Sequence, residues 1–301
     1  MKLEDRNRSS DSGKKVEELI RERWKTYNLQ WMGEERFQEF IDRKVRSEDF
    51  QARHLSFLES NLGHLKDKFV LDVGCGEGGL VIALKKKGLK VLGVDLSKTA
   101  LDIARLQLMC RENFGNPSIL GQAEGHQLPF RDDTFDLVTS VDTLEHIPDL
   151  PGFLKEIRRI LKKGGHFYAN TPNRHWPYET HCRMFLLHWI PLNLRPPIIK
   201  TFFPKRLKKL EKLEYLEALN LLTPSELDEI TYKSFSSIKE YSDVLLNRYK
   251  NDQSNKLRKD SSLKNNIIQT VLTATIIPGV SSFTKGLLNR FAPEIILIAQ
   301  K

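Results

Sequence analysis

The residues best suited to chemistry in this 301-residue chain form the run Leu71-Asp72-Val73-Gly74-Cys75-Gly76-Glu77-Gly78-Gly79. A short apolar segment that enters a cluster of glycines reads as a strand turning at once into a helix. A side chain there would obstruct tight curvature or the close approach of a ligand. The first amides of such a helix have no acceptor within it and can receive a polar or anionic group. Asp95, directly after the apolar run Val91–Val94, stands where an acid about twenty residues downstream can bind ribose hydroxyls. Gly74, Gly76 and Gly79 also satisfy the GxGxxG pattern of dinucleotide folds. A NAD-binding protein and an enzyme using another adenosyl cofactor are therefore both open on these residues alone.

Two further groups can act on a substrate. His146 follows a later apolar run, Phe135–Ser140, and a neutral imidazole accepts a proton near pH 7. Glu145 either orients it or caps nearby backbone, and a structural or substrate-positioning role for His146 is the competing reading. The stretch Asn170 to His181 is dense in polar and aromatic groups, and its prolines shape a loop. Arg174 is suited to an acceptor carboxylate or phosphate, Trp176 and Tyr178 to its apolar part, and His181 completes the candidate acceptor set. The alternative is that this loop only braces the sheet. Glu179, His181, His175 and His188 follow no zinc-ligand spacing, so no metal is expected.

The elements that must carry these residues alternate between short apolar runs and amphipathic segments. Strands are expected at Phe69–Val73, Lys90–Val94, Ser118–Gly121, Phe135–Ser140 and His166–Ala169. Helices are expected at Leu80–Lys87, from a Ser97 cap to Asn113, and at Leu150–Leu161. This alternation predicts right-handed crossovers on a parallel sheet with ligands at the carboxyl ends of the strands. Further on, Leu222–Ile230 reads as a helix capped by Thr223 or Ser225, Tyr232–Ser237 as a late strand and Glu294–Ala299 as a final one. Ahead of the sheet, residues 1–15 read as a loose tail, followed by helices over Val16–Tyr27 and Glu34–Leu62 with a break near Asp49.

The expected organisation is an amino-terminal tail and helical cap over residues 1–62, then a catalytic domain over 63–301. That domain carries an apolar and basic cap insertion at 174–221 and a late insertion at 239–290. Within the first insertion, Met184–Lys212 joins Phe185, Trp189 and other apolar residues to Arg195, Lys200, Lys205, Arg206, Lys208, Lys209 and Lys212. Such a segment either caps a buried pocket or rests on acidic lipid. Both readings favour an amphiphilic acceptor. No apolar stretch is long enough to span a membrane. The formal charge of +9 favours anionic partners without choosing between acidic lipid, nucleic acid and an acidic metabolite. Nucleic acid stays open, although no recognised binding module is present; protein partners are not indicated. Cys75, Cys110 and Cys182 form no CxxC pair, which suggests neither a disulfide scaffold nor a cysteine zinc site. A reducing, cytoplasmic setting, with peripheral membrane attachment as an addition, is the expectation.

Taken in order, Val70–Gly79, Val91–Leu96, Ala123–Phe130, Phe135–Val138, Leu144–Ile147 and Leu161–Gly165 resemble the class I methyltransferases, especially the small-molecule group that includes ubiquinone-biosynthesis enzymes. The likeness covers roughly residues 65–170. It implies a Rossmann-like α/β fold: a mostly parallel seven-stranded sheet with an antiparallel terminal strand and helical cap insertions. It also implies S-adenosyl-L-methionine as cofactor. By the resemblance, Gly74, Cys75, Gly76 and Gly78 form the cofactor loop and Asp72 lies near the methionine amino group. Asp95 would bind the ribose diol and Leu96 would cover adenine. Gln122, Ala123 and Glu124 match the adenine-side motif, with Gln122 where many relatives carry Asp; its amide can still accept the adenine amino hydrogen. The implied activity is methyl transfer by direct displacement, most readily O-methylation of a small or lipid-like acceptor, with His146 as the candidate base. Protein or nucleic-acid methylation, and a noncatalytic or NAD-binding role, are the alternatives.

Overall fold

The structure is a computed structural model that describes residues 11–25, 33–110, 119–179, 184–186, 189–191, 194, 197, 198, 201, 221–239, 290 and 294–301. It is α/β, with a seven-stranded, mostly parallel sheet whose terminal strands run antiparallel. The chain divides into two compact units, Met1–Thr139 and Ser140–Lys301.

In the first unit, β1 (Phe69–Val73), β2 (Lys90–Asp95), β3 (Leu120–Gln122) and β4 (Phe135–Val141, whose last two residues belong to the second unit) lie in the order β3-β2-β1-β4. The pairs are parallel, and the register sets Asp72 beside Gly93 and Thr139, and Asp95 beside Gln122. The acids expected at the cofactor thus stand at neighbouring strand ends. Buried strands with crossovers between them explain the near-continuous apolar runs that made β1 and β4 legible.

Helix α1 (Asp11–Trp24), α2 (Glu34–Val45), α3 (Ser47–Leu62), α4 (Gly79–Lys86) and α5 (Lys98–Met109) complete this unit. Every residue of α4 from Gly79 to Leu84 is buried. A Cβ on Gly79 would lie 2.8 Å from Ser47 Cβ, so the missing side chain lets α3 approach the start of α4. Val16, Ile20, Phe37 and Ile41 pack together with Ile103 of α5. The expected tail is therefore too long: the helix begins at Asp11, whose acid sits in the first turn while Arg21 and Arg23 occupy the last. Those charges complement the helix dipole, and the apolar face that begins at Val16 is buried against α2 and α5. The break between α2 and α3 falls at Arg46 rather than near Asp49.

In the second unit, β5 (Leu161–Pro172) is much longer than the expected His166–Ala169. It pairs antiparallel with β9 (Glu294–Gln300) from His166↔Gln300 to Pro172↔Glu294, a partner too distant in sequence to signal the strand's length. A short β8 (Ser237–Ile238) continues on β9. Helix α7 (Pro224–Tyr232) starts from a full capping box of Thr223 and Glu226, and the strand expected at Tyr232–Ser237 begins only at Ser237, after a turn that follows the helix. Helix α6 (Leu150–Ile160) starts from an Asp149 cap and buries Leu150, Phe153, Leu154, Ile157 and Ile160 on one face. A two-residue ladder joins β6 (Tyr178–Glu179) to β7 (Met184–Phe185). Most of Met184–Lys212 and nearly all of 239–290 lie outside the described residues. Among the described residues no helix is long and apolar enough to cross a membrane.

Candidate functional site

The glycine run turns off β1 and is tied to the end of β2. Gly74 N and Cys75 N donate to Val94 O at 2.8 and 3.0 Å, and Gly78 N donates to Cys75 O at 2.9 Å. Gly76 and Gly78 hold φ of +53° and +82°, the left-handed region that glycine enters without steric cost. At Gly78 a Cβ would also stand 3.0 Å from Ala104 Cβ. At Gly76 a Cβ would meet nothing within 4 Å, so the backbone there borders open space.

Asp95 closes the turn. Its Oδ2 accepts Gly76 N at 2.8 Å and its Oδ1 accepts Ser97 N at 2.7 Å. Each carboxylate oxygen can accept more than one hydrogen bond, so a diol can still be received while the loop fixes the side chain. Leu96, beside it, is 62% exposed and offers an apolar face to a flat ring. Gln122 donates Nε2 to Leu96 O at 2.9 Å, which directs its carbonyl oxygen as the remaining acceptor. Ala123 N donates to Asp95 O at 3.3 Å, whereas Glu124 is exposed, with its Oε2 3.2 Å from His126 Nε2.

Asp72 is buried, and Thr139 Oγ1 donates to its Oδ1 at 2.7 Å. Burial pushes its carboxyl up to about 7; the Thr139 hydrogen bond opposes this and the Asp95 charge adds to it. Burial likewise pushes the Cys75 thiol well up, so that it serves as an apolar packing group beside Gly93. An acid poised near neutrality is suited to an arriving ammonium or sulfonium, which would favour its ionised form. Open space at Gly76, an available Asp95 and an uncovered Leu96 together fit an adenosyl cofactor carrying a positive charge.

The candidate acceptor residues belong to the second unit. His146 ends a single 3-10 turn, Leu144–His146, in which His146 N donates to Thr143 O at 2.9 Å. Its Nε2 lies 4.0 Å from Glu145 Oε1; the imidazole is partly exposed and the carboxylate buried. Thr171 Oγ1 donates to Glu145 Oε2 at 3.1 Å and so fixes that carboxylate. Asn170 donates to Asp142 Oδ1 at 3.2 Å and to Glu294 Oε2 at 3.3 Å, joining the carboxyl ends of β4, β5 and the start of β9.

The loop after β5 is tied down by its own contacts. Arg174 Nη2 meets Glu226 Oε1 at 2.6 Å, and Arg174 N donates to Leu222 O at 2.9 Å. Trp176 is buried, and its N donates to Asn173 O at 3.0 Å. Tyr178 lies in β6, and His181 lies outside the described residues. The guanidinium expected to receive an acceptor anion therefore already holds an acid of α7. Among the described residues no three His, Cys, Asp or Glu side chains gather as a metal set.

Two participants were not foreseen from the sequence. Thr139 is the partner that keeps Asp72 hydrogen-bonded in the core, a role that depends on the register between β1 and β4. Glu77 lies inside the glycine run yet is buried against Trp24, Arg23 and Lys44. A charged side chain among glycines was the available signal, but its partners come from helices far upstream.

Residues 71–169 match the family described as a methyltransferase domain. Among curated proteins, the chain is similar to the ubiquinone biosynthesis O-methyltransferase of Idiomarina loihiensis, 36% identical over 141 residues, covering 46% of this chain and 57% of that protein. The enzyme of the same name from Alkalilimnicola ehrlichii is 35% identical over 127 residues, covering 42% of this chain and 50% of the relative. The chain thus spans about half the length of the curated relatives it matches. Among solved structures, an S-adenosylmethionine dependent methyltransferase from Mesorhizobium loti aligns with a TM-score of 0.49 at 18% identity, covering 84% of this chain and 100% of that one.

Proposed function

We propose that the protein transfers a methyl group from S-adenosylmethionine to an oxygen of a small or lipid-like acceptor. The observation that carries the cofactor half is Asp95, held at the end of β2 by the Gly76 and Ser97 amides beside a glycine turn. The acceptor half rests on the similarity to proteins named as ubiquinone biosynthesis O-methyltransferases. When bound, the cofactor supplies an electrophilic methyl group on a sulfonium. The protein's task is then to hold the acceptor oxygen in line and to receive its proton.

In this reading His146 would take the proton of the acceptor hydroxyl as that oxygen receives the methyl group the bound cofactor would supply. Glu145, fixed by Thr171, steadies the imidazolium that results. Arg174 and Trp176 shape the loop after β5 through Glu226 and Asn173, and Tyr178 and His181 complete the proposed acceptor set.

The test incubates the protein with isotopically labelled S-adenosylmethionine and a metabolite and lipid extract, followed by mass analysis of the products. The expected result is label on an ether or ester oxygen. At saturating cofactor and acceptor, His146→Ala should lower the single-turnover rate roughly a hundredfold. Label only on nitrogen or carbon would overturn the O-methylation reading. An unchanged rate and pH dependence in His146→Ala would remove the base.

A further inference from the structure

Glu77 is the charged residue inside the glycine run, and it is only 7% exposed. A buried carboxylate is costly unless it is paired and hydrogen-bonded. Here the partners come from the amino-terminal helices. Trp24 Nε1 donates to Glu77 Oε1 at 2.5 Å, Arg23 Nε lies 3.5 Å from the same oxygen, and Lys44 Nζ lies 3.7 Å from Oε2. The Glu77 carbonyl accepts Gln107 Nε2 at 3.1 Å, which anchors the peptide to α5 as well. Lys44 Nζ also sits 4.5 Å from the centroid of the Trp24 ring, so cation and indole hold each other around the acid.

The last turn of α1 reaches the second cofactor loop too. Arg23 Nη1 donates to Ser97 Oγ at 3.4 Å, and Ser97 N is one of the two amides that fix Asp95. Gly76 and Gly78, the neighbours of Glu77 in the chain, shape the turn at the expected cofactor loop. The rest of α1 and α2 is held to the domain by Val16, Ile20, Phe37 and Ile41 packed with Ile103. One buried acid therefore connects the glycine turn to two helices that begin at Asp11 and Glu34, far earlier in the chain.

We propose that Glu77 is a positioning residue that latches the amino-terminal helices to the glycine loop, so that cofactor binding and docking of α1 and α2 form one coupled equilibrium. The coupling rests on the cofactor reading above, whereas the latch itself does not. Reciprocity follows: whatever orders the loop protects the helices, and whatever releases the helices weakens the cofactor by the same factor.

The test uses the full chain as wild type, Glu77→Ala, Glu77→Gln and Trp24→Phe. Hydrogen exchange is measured with and without saturating S-adenosylhomocysteine, alongside calorimetric affinity. In the wild type the ligand should slow exchange in 11–25 and 34–45 as well as in 74–79. Glu77→Ala should abolish that slowing in the helices and weaken the ligand about tenfold, the scale expected from stranding buried partners. Glu77→Gln keeps an acceptor for Trp24 without the charge and should fall between; Trp24→Phe should lose several-fold. Should Glu77→Ala fail to fold, the other two variants carry the same comparison. A Glu77 that only stabilises the fold would lower the melting temperature while leaving ligand protection of the helices intact, and that result overturns the proposal. So does a wild type whose helices ignore the ligand while its loop responds. If the wild type binds no S-adenosylhomocysteine, the cofactor reading and the coupling built on it both fall. Exchange without ligand then judges the latch alone, which stands only if Glu77→Ala speeds 11–25 and 74–79 together.

Discussion

Asp72 shows how one residue's surroundings set its chemistry. Its carboxyl rises from 3.8 to about 7 because burial disfavours the charge more than the Thr139 hydrogen bond favours it. A raised acid costs the folded state as pH climbs: below about 4 both folded and unfolded chains hold the proton, and between about 4 and 7 only the folded chain does. Stability without ligand should therefore fall through that window and level off above it. Asp72→Asn should be more stable than the wild type at pH 8, by on the order of a few kcal/mol, and nearly equal at pH 4, as read from denaturant unfolding at each pH. A cationic cofactor reverses the sign, since it prefers the ionised acid. Its affinity should rise from pH 6 to pH 8 in the wild type and stay nearly flat in the variant, as calorimetry across that range would read. Of this candidate site, the clustering of Asp72, the glycines and Asp95 was legible in the sequence, because they lie close together in the chain on two adjacent strand ends. Thr139 and Glu77 were not legible, since their roles arise from strand register and from packing against α1 and α2.

Among the elements, those with local instructions were readable and those governed by distant partners were not. Ser97, Asp149 and Thr223 each cap the helix expected to follow them, and side-chain to backbone bonds of that kind need only the next few residues. The capping box of α7 also receives Arg174 from the loop after β5. Burial draws the Glu226 carboxyl upward, but the Thr223 N–H and hydroxyl and the Arg174 guanidinium outweigh it and hold the acid below its usual range. Thr223→Ala should cost about 1 kcal/mol in denaturant unfolding, and Arg174→Ala less, since that pair is exposed. A Thr223→Ala protein as stable as the wild type would show that packing alone holds α7. The full length of β5 and the early start of α1 lay beyond sequence reasoning for the opposite reason. β5 runs on to Pro172 by pairing with β9, and Val16 and Ile20 of α1 are buried with Phe37, Ile41 and Ile103.

At the scale of the molecule, residues 71–169 match a methyltransferase domain, and the amino-terminal helices meet its glycine turn through Trp24 and Glu77. The alternation of strands and helices exposed the first of these because each crossover returns the chain to a parallel sheet within a few tens of residues. The substrate was not legible in the same way, because the residues that select an acceptor need not share a motif with those that bind the cofactor. The central claim is the cofactor, and the most direct measurement is calorimetric titration of the full chain with S-adenosylhomocysteine and, separately, with NAD. S-adenosylhomocysteine should bind, NAD should not, and Asp95→Ala should weaken the first by about tenfold or more, because the ribose loses its acceptor and the Gly76 and Ser97 amides lose theirs. Binding of NAD with none of S-adenosylhomocysteine would contradict the assignment of this domain.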